Sequence, residues 1–324
     1  MTGPGSEQDF LSLIDRYFPA VNGHVTLGRG DDCSILHAES ELCISKDLFL
    51  EDVHFRRSYF SPGDIGYKAL AVNISDIAAM GGSPRGFALG LIIPSGLEYG
   101  FWDQFFQSMA ELAAQNGLVL AGGDLSGGSI LGISVTVWGE YGNGNRFLTR
   151  GNAFPGDILF LHGPVGLART GLLALEEEGP AASVKYKDSV NAHLRPEMRI
   201  QAGQQLAAAS CVRGLMDVSD GLARDLPRFL GCCEGSPGAK IEIPEHTLHQ
   251  EIITYAQAKS ISPSEHAFLG GEDYALLGAA EPEGFAELVG TIPGLQAIGT
   301  VTEDRSLLLN GNNFSASGFD HFSK

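Results

Sequence analysis

The sequence predicts a two-domain protein of mixed α/β (α+β) architecture. Two observations carry that expectation. Apolar runs of strand length alternate with segments of helical periodicity in both halves of the chain. A glycine- and asparagine-rich stretch, EYGNGNRF at 140–147, interrupts the alternation near the middle. A length of 324 residues also exceeds what one small core organises. The boundary is expected just after the interruption, giving domains 1–150 and 151–324.

Phe10, Leu13, Ile14, Tyr17 and Phe18 recur at helical spacing and predict an amphipathic helix over 6–18. The loop GRGDDCS (28–34) follows, then short β-like runs at 34–36 and 42–45, the second leading into Lys46 and Asp47. Ser61, Pro62 and Asp64 supply the capping hydroxyl, first-turn proline and first-turn acid of a helix start. That helix is expected to run through YKALAVNISDIAAM and stop at Gly81-Gly82. A strand at 87–94, a helix at 98–116 and a strand at 118–124 continue the pattern, and 130–140 alternates as a half-buried strand does. In the second half a strand at 157–163 opens a new alternation. Helices are expected near 165–178, 196–210, 221–230 and 245–258, with strands near 239–243, 274–279 and 296–302.

The formal net charge of −18 repels nucleic acid and anionic membranes, so neither is expected as a partner. No apolar run approaches the roughly 18 residues that span a bilayer. The opening MTGPGSEQDF has neither the basic region nor the apolar core of an export signal. Five cysteines without a CxxC pair fit a reducing compartment, and the cytoplasm is the expected location.

The acids matter more by position than by number. Asp31-Asp32 sits in a glycine-flanked loop, an arrangement that alone is usually just solvated. Two carboxylates about 4 Å apart repel by roughly 4 kcal/mol at an effective dielectric near 20, so a fold that gathers several needs a cation or protonation. In SKDLFLEDVHF (45–55) a strand ending at Asp47, with His54 a few residues on, would set a carboxylate and an imidazole at one cleft edge. Asn73 and Asp76 lie three apart, on one face of an otherwise apolar helix, where burial demands that they be satisfied. AGGDLSGG (121–128) ends a buried-looking strand in glycines and Asp124, which suits phosphate oxygens and Mg²⁺. MDVSDGLARDL (216–226) puts Asp217, Ser219 and Asp220 at a strand-to-helix turn, near a positive helix end. LGGEDYAL (269–276) sets Glu272 and Asp273 after two glycines. There is no GxxxxGK[ST] loop, no HRD or DFG set and no GxSxG elbow. Cys232-Cys233 and the pair His246/His249 fit no standard zinc spacing.

Taken in order, these motifs resemble the thiamine-monophosphate kinase family. The resemblance runs from FLSLIDRYF (10–18) to GFDHF (318–322), through GRGDD, SKD…VHF, YKALAVNISDIAAMGG, GGD, LTRGNAFPGD (148–157), HLRPEMRI (193–200), MDVSDGL and GGEDY. The family's superfamily includes aminoimidazole-ribonucleotide synthetase, selenophosphate synthetase and a hydrogenase-maturation protein. The resemblance implies an N-terminal α/β domain that binds metal and ATP and builds a shared β-barrel at a homodimer interface. It also implies a C-terminal α/β domain that completes the active-site cleft. The implied reaction is direct in-line transfer from ATP to thiamine monophosphate, dependent on several Mg²⁺ ions, with no catalytic residue distinct from the metal ligands. Carried over position by position, the metal ligands fall on Asp32, Ser45, Asp47, Asp76, Asp124, Asp217 and Asp220, with Asp31 adjoining. Nucleotide contacts fall on Gly123, Asp124, Arg150 and Ser219, and substrate contacts on His54 and Glu272.

The chain departs from the family's usual residues at several points. Lys46 and Leu48 replace threonines, Asp52 a glycine, Leu125 and Ser126 two threonines, Leu269 a serine and Ala275 a glutamate. Ala316 stands where an aromatic residue is usual, with Phe314 and Phe319 nearby. Lys46 beside Asp47 either disturbs a metal or holds a phosphate. Two other readings stay open at this point: a related ATP-using enzyme with another small-molecule acceptor, and a nucleotide-binding homologue without turnover.

Overall fold

In the computed structural model the chain forms two units, Met1–Ile77 with Gly82–Tyr141, and Ala78–Gly81 with Gly142–Lys324. The structure describes residues 4, 6–18, 23–27, 35–38, 41–142, 144–231, 233 and 235–314. Both units mix helices and strands.

The first unit opens with α1 (Glu7–Tyr17), started by a capping box. Ser6 Oγ accepts the Asp9 N–H at 3.2 Å and the Asp9 carboxylate accepts the Ser6 N–H at 3.1 Å. β1 (Val25–Leu27) and β2 (Ile35–Leu36) pair as a small separate sheet. Then come β3 (Cys43–Leu50), α2 (Pro62–Ala79), β4 (Gly82–Pro94), α3 (Tyr99–Gln115), β5 (Val119–Gly128) and β6 (Gly132–Tyr141). Ser61 begins α2 as expected, its hydroxyl accepting the Asp64 N–H at 3.2 Å. Strands β3 to β6 form one sheet in the order β3-β6-β4-β5, with β4 and β5 parallel and the other neighbours antiparallel.

One face of this sheet is covered by helices. Phe87, Leu89 and Leu91 of β4 and Ile133, Val135 and Val137 of β6 are buried there. Phe18, following α1, sets its ring edge-on to Phe87 at 5.9 Å, and α1 meets α3 through Phe10 and Trp102 at 4.9 Å. On the other face Val25 packs with Trp138, Val119 and Ala121 at one end. On the same face Ile44, directly across from Trp138, is 68 % exposed, Leu48 55 % and Ile92 43 %.

The second unit contains β7 (Ile158–His162), α4 (Leu167–Glu178), α5 (Lys187–Leu194), α6 (Ile200–Ala208), β8 (Val212–Val218), α7 (Leu222–Gly231) and β9 (Gly238–Ile241). It continues with α8 (Gln250–Lys259), α9 (Pro263–Phe268), β10 (Ala275–Ala280), α10 (Pro282–Thr291), β11 (Leu295–Thr302), β12 (Leu307–Leu309) and β13 (Asn312–Asn313). Its seven strands lie in the order β13-β12-β9-β11-β7-β10-β8. The central strands are buried on both faces. Leu159, Leu161, Met216, Val218 and Leu277 join one core with α7, while Phe160, Leu215 and Leu276 join another with α6 and α10.

Three expectations need correction. β3 does not end at Asp47 but runs on to Leu50, because Leu48, Phe49 and Leu50 keep pairing with β6. β5 likewise continues past Asp124 to Gly128, held by its ladder with β4. Helices α5, α9 and α10 and strands β12 and β13 were not anticipated from periodicity.

Candidate active site

The pleat of β3 decides which of its side chains belong together. Cys43, Ser45, Asp47 and Phe49 face α2, while Ile44, Lys46 and Leu48 face away. Ser45 Oγ donates to the Asp76 carboxylate on α2. The Asp47 N–H donates to Asn73 Oδ1 at 3.2 Å, and buried Asn73 anchors its own amide on the Ala69 carbonyl at 3.0 Å. Strand edge and helix thus gather Ser45, Asp47 and Asp76. Burial pushes the Asp47 carboxyl above the usual carboxylate range, so a bare negative charge is disfavoured there unless a cation offsets it. The Cys43 thiol is pushed up to about 11, mainly by burial, and offers no thiolate at neutral pH. The donors are therefore hard oxygens, the set that Mg²⁺ prefers.

His54 lies in the turn after β3. Its Nδ1 accepts the Leu50 N–H at 3.0 Å, which leaves the ring proton on Nε2. Since the strand runs three residues past Asp47, His54 belongs to a strand end about 10 Å along from that carboxylate. Asp124 is farther away. β5 is the opposite edge of the sheet, three strand spacings or about 14 Å from β3. Asp124 shares a cross-strand row with Gly90, Ser134 and Leu48, on the face turned away from the helices. Gly123 before it has no room for a side chain, since a Cβ would lie 1.9 Å from the Leu89 carbonyl oxygen. Asp31 and Asp32 lie outside the described residues.

The second unit holds its own cluster. Asp217, near the end of β8, is 4 % exposed. Ser219 and Asp220 form the turn into α7, where the Asp220 N–H donates to Asp225 Oδ2 at 2.8 Å. Burial pushes Asp225 up to about 6. The Asp220 carboxylate accepts from Arg228 Nη1 at 2.5 Å and has Arg224 Nε at 3.7 Å, so a metal there competes with two guanidiniums. The GGEDY loop is zipped to this turn: the Glu272 N–H donates to the Ser219 carbonyl at 2.7 Å and the Tyr274 N–H to the Val218 carbonyl at 2.9 Å. Glu272 (φ 62°) and Tyr274 (φ 49°) are both left-handed, a strained state for residues other than glycine. Between them Asp273 accepts the Gly166 and Ala168 N–H groups at the start of α4, at 2.5 and 2.8 Å. Burial, opposed by those N–H groups, raises its carboxyl to about 7.

His193, at the end of α5, is 1 % exposed and places Nδ1 3.0 Å from Glu272 Oε2. Sequence reasoning gave it no role, since no spacing rule links it to Glu272. Arg150 is exposed in the loop before β7. The structure thus unites Ser219, Asp220 and Glu272 in one place. Among the described residues, no three His, Cys, Asp or Glu side chains gather closely enough to hold a metal by themselves. His249 instead caps α8, accepting the Glu251 N–H at 3.3 Å.

Residues 30–141 match the family model described as AIR synthase related protein, N-terminal domain. The chain is 39 % identical to the thiamine-monophosphate kinase of Bacillus subtilis, over 85 % of this chain and 84 % of that protein. It is 35 % identical to the Escherichia coli enzyme, over 82 % and 81 % of the two chains. The chain belongs to the thiamine-monophosphate kinase family. Among solved structures, the Aquifex aeolicus thiamine monophosphate kinase superposes with a TM-score of 0.76 at 30 % identity, covering 86 % of this chain and 91 % of that one. AaThiL complexed with AMPPCP and TMP gives a TM-score of 0.77 at 27 % identity, covering 98 % and 97 %. Escherichia coli HypE, a hydrogenase maturation protein, shares the fold at a TM-score of 0.76 and 21 % identity, over 96 % and 98 %.

Within the thiamine-monophosphate kinase family, several of this chain's unusual residues now have a structural setting. Asp52 occupies φ 63°, a left-handed position that explains the family's usual glycine. Lys46 points to the face opposite Asp47, so it does not compete for the oxygens of the Ser45–Asp47–Asp76 group. Leu269 packs on the core of the second unit, and its carbonyl accepts Arg169 Nη1 at 2.8 Å. Ala275 is fully buried in β10. Phe314 sets its ring edge-on to Phe268 at 4.6 Å. Ala316 and Phe319 lie outside the described residues.

Proposed function

We propose that this protein transfers the γ-phosphoryl group of ATP to thiamine monophosphate, giving ADP and thiamine diphosphate. The observation that carries this reading is identity of 39 % with a thiamine-monophosphate kinase over 85 % of this chain and 84 % of that one. The complex of AaThiL with AMPPCP, an ATP analogue, and TMP supports the same pair of substrates. Transfer is in line, because acceptor and donor are both phosphates and no covalent protein intermediate is required.

In this reading Ser45, Asp47, Asp76, Asp124, Asp217 and Asp220, with Asp31 and Asp32, hold Mg²⁺. The gathered oxygens of Ser45, Asp47 and Asp76 fit that ion, which takes one or two carboxylates and completes its shell with phosphate and water. Bound there, Mg²⁺ supplies charge neutralisation for crowded phosphate oxygens. Gly123, Arg150 and Ser219 contact the nucleotide. Arg150 is an exposed cation with a fork suited to phosphate, and the turn at Ser219 presents backbone N–H groups near the start of α7. His54 and Glu272 contact the acceptor. The acceptor oxygen is already ionised at neutral pH, so positioning replaces general-base chemistry.

The first unit is the metal-, ATP- and partner-binding domain of this proposal. The exposed face carrying Ile44, Leu48 and Ile92, on a sheet whose edge strands are β3 and β5, supports a homodimer closed by a shared barrel. Cytoplasmic residence belongs to the same proposal, since ATP is the co-substrate and Cys43, Cys211 and Cys233 are free thiols. Purified protein given Mg-ATP and thiamine monophosphate should form thiamine diphosphate, read by chromatography. ATP binding with no product would overturn the reading, and ATP turnover with a different acceptor would replace it with the related-enzyme alternative.

A further inference from the structure

We infer that His193 is a positioning residue of the acceptor site, fixing the Glu272 carboxylate so that it presents to a hydrogen-bond-donating or cationic group of the acceptor. The inference rests on the proposed assignment of Glu272 as an acceptor contact. Three restraints converge on that one side chain. Its backbone is left-handed at φ 62°. Its N–H is tied to the Ser219 carbonyl at 2.7 Å, next to the Asp220 turn. Its carboxylate lies 3.0 Å from Nδ1 of an imidazole that is 1 % exposed.

A carboxylate accepts hydrogen bonds and does not donate them, so Nδ1 must carry a proton. That contact works with a neutral ring as well as a charged one. A left-handed backbone at a residue other than glycine raises the energy of the fold. A carboxylate whose side chain is still 27 % exposed gains little in return from an ion pair. A site gives the arrangement a use, because a binding carboxylate works only when its own rotamer is locked. The frame around it is correspondingly tight. A Cβ at Gly270 would lie 2.6 Å from the Gly166 Cα, and Asp273 pins the loop to the first N–H groups of α4. Thiamine monophosphate has both an exocyclic amine and a ring cation, and either complements a fixed carboxylate.

The test compares three substitutions of one residue. His193→Asn keeps an N–H donor near the Nδ1 position, His193→Gln moves the donor outward toward Nε2, and His193→Leu removes it. His193→Leu and His193→Gln should raise KM for thiamine monophosphate by about tenfold to a hundredfold while leaving KM for ATP within about twofold. His193→Asn should restore it to within about threefold of the parent. The double variant with Glu272→Ala should be no worse than Glu272→Ala alone, as expected of residues acting in series. If His193→Leu does not fold, the contrast between Asn and Gln decides. Equal KM values for those two, or equal rises for both substrates, overturn the inference. An unchanged acceptor KM in Glu272→Ala sinks the assignment of Glu272 itself; a raised one there with His193→Gln unaffected sinks only the role of His193.

Discussion

Asp47 is held by its backbone rather than by its carboxylate. Asn73 takes its N–H, the strand ladder sets its direction, and burial leaves the acid group poorly solvated. Removing its charge should therefore separate function from folding. Asp47→Asn is expected to lower thiamine diphosphate formation by more than about a hundredfold, while the melting temperature without ligand stays the same or rises, because the amide escapes the desolvation that burial imposes on a charge. Asp273 gives a pH dependence. Its folded-state carboxyl, raised from 3.8 to about 7, holds its proton where the unfolded chain has lost it. Unfolding between those pH values then releases a proton, so stability contributed by this group is present at low pH and falls as pH rises through about 7. Asp273→Asn should flatten the fall in melting temperature between pH 5 and pH 8 by several degrees, in calorimetry at matched ionic strength. At this scale the candidate acids are conspicuous in the sequence, because glycine-flanked aspartates after apolar runs are local patterns. The sequence leaves His193 without a role, because its partner arrives from a distant loop.

Element boundaries set Asp47 and Asp124 in different surroundings from those their local sequence suggests. Asp47 and Asp124 both looked like strand ends, since a polar residue followed each apolar run. Both are interior to their strands, because the ladder with the neighbouring strand persists beyond them. Helix α5 has no clear local signature for a related reason. KDSVNAHL is short and mostly polar, and its place is set by packing on α4, where a Cβ at Gly171 would lie 2.0 Å from the Ser189 carbonyl oxygen. By contrast α2 was legible from its first turn, because Ser61 and Asp64 form the cap that their sequence announces. The join of β4 and β5 supplies an element-scale test. Gly123→Ala puts a methyl 1.9 Å from the Leu89 carbonyl oxygen, so either the two strands part or the chain bends. A loss of about 2 kcal/mol or more is expected in urea unfolding, well above the roughly 1 kcal/mol typical of point changes.

For the whole molecule the four-stranded sheet of the first unit carries the exposed apolar face on which the proposed homodimer rests. Its helix-covered face is legible in the alternation of β6, but the opposite face shows apolar side chains where alternation predicts polar ones. Ile44 and Leu48 on β3 and Ile92 on β4 are the residues concerned. A protein that buries this face against a second copy should run as a dimer in light scattering. Leu48→Glu, which places a charge at its middle, should weaken that dimer by about a hundredfold or more and lower specific activity at low protein concentration. Retained dimer mass in that variant would locate the interface elsewhere.

The two edge strands of the same sheet bear on how the protein is made. If the proposed homodimer forms, a newly synthesised chain must find a second copy, and the encounter rate between copies grows with the square of their number. Until the copies of the proposed dimer meet, the edge strands β3 and β5 are the places where a passing extended segment can add, including those of unfinished neighbours. Slow synthesis lengthens that exposed interval, while very rapid synthesis crowds the cell with unfinished neighbours. Recovery of soluble protein should therefore peak at intermediate expression levels.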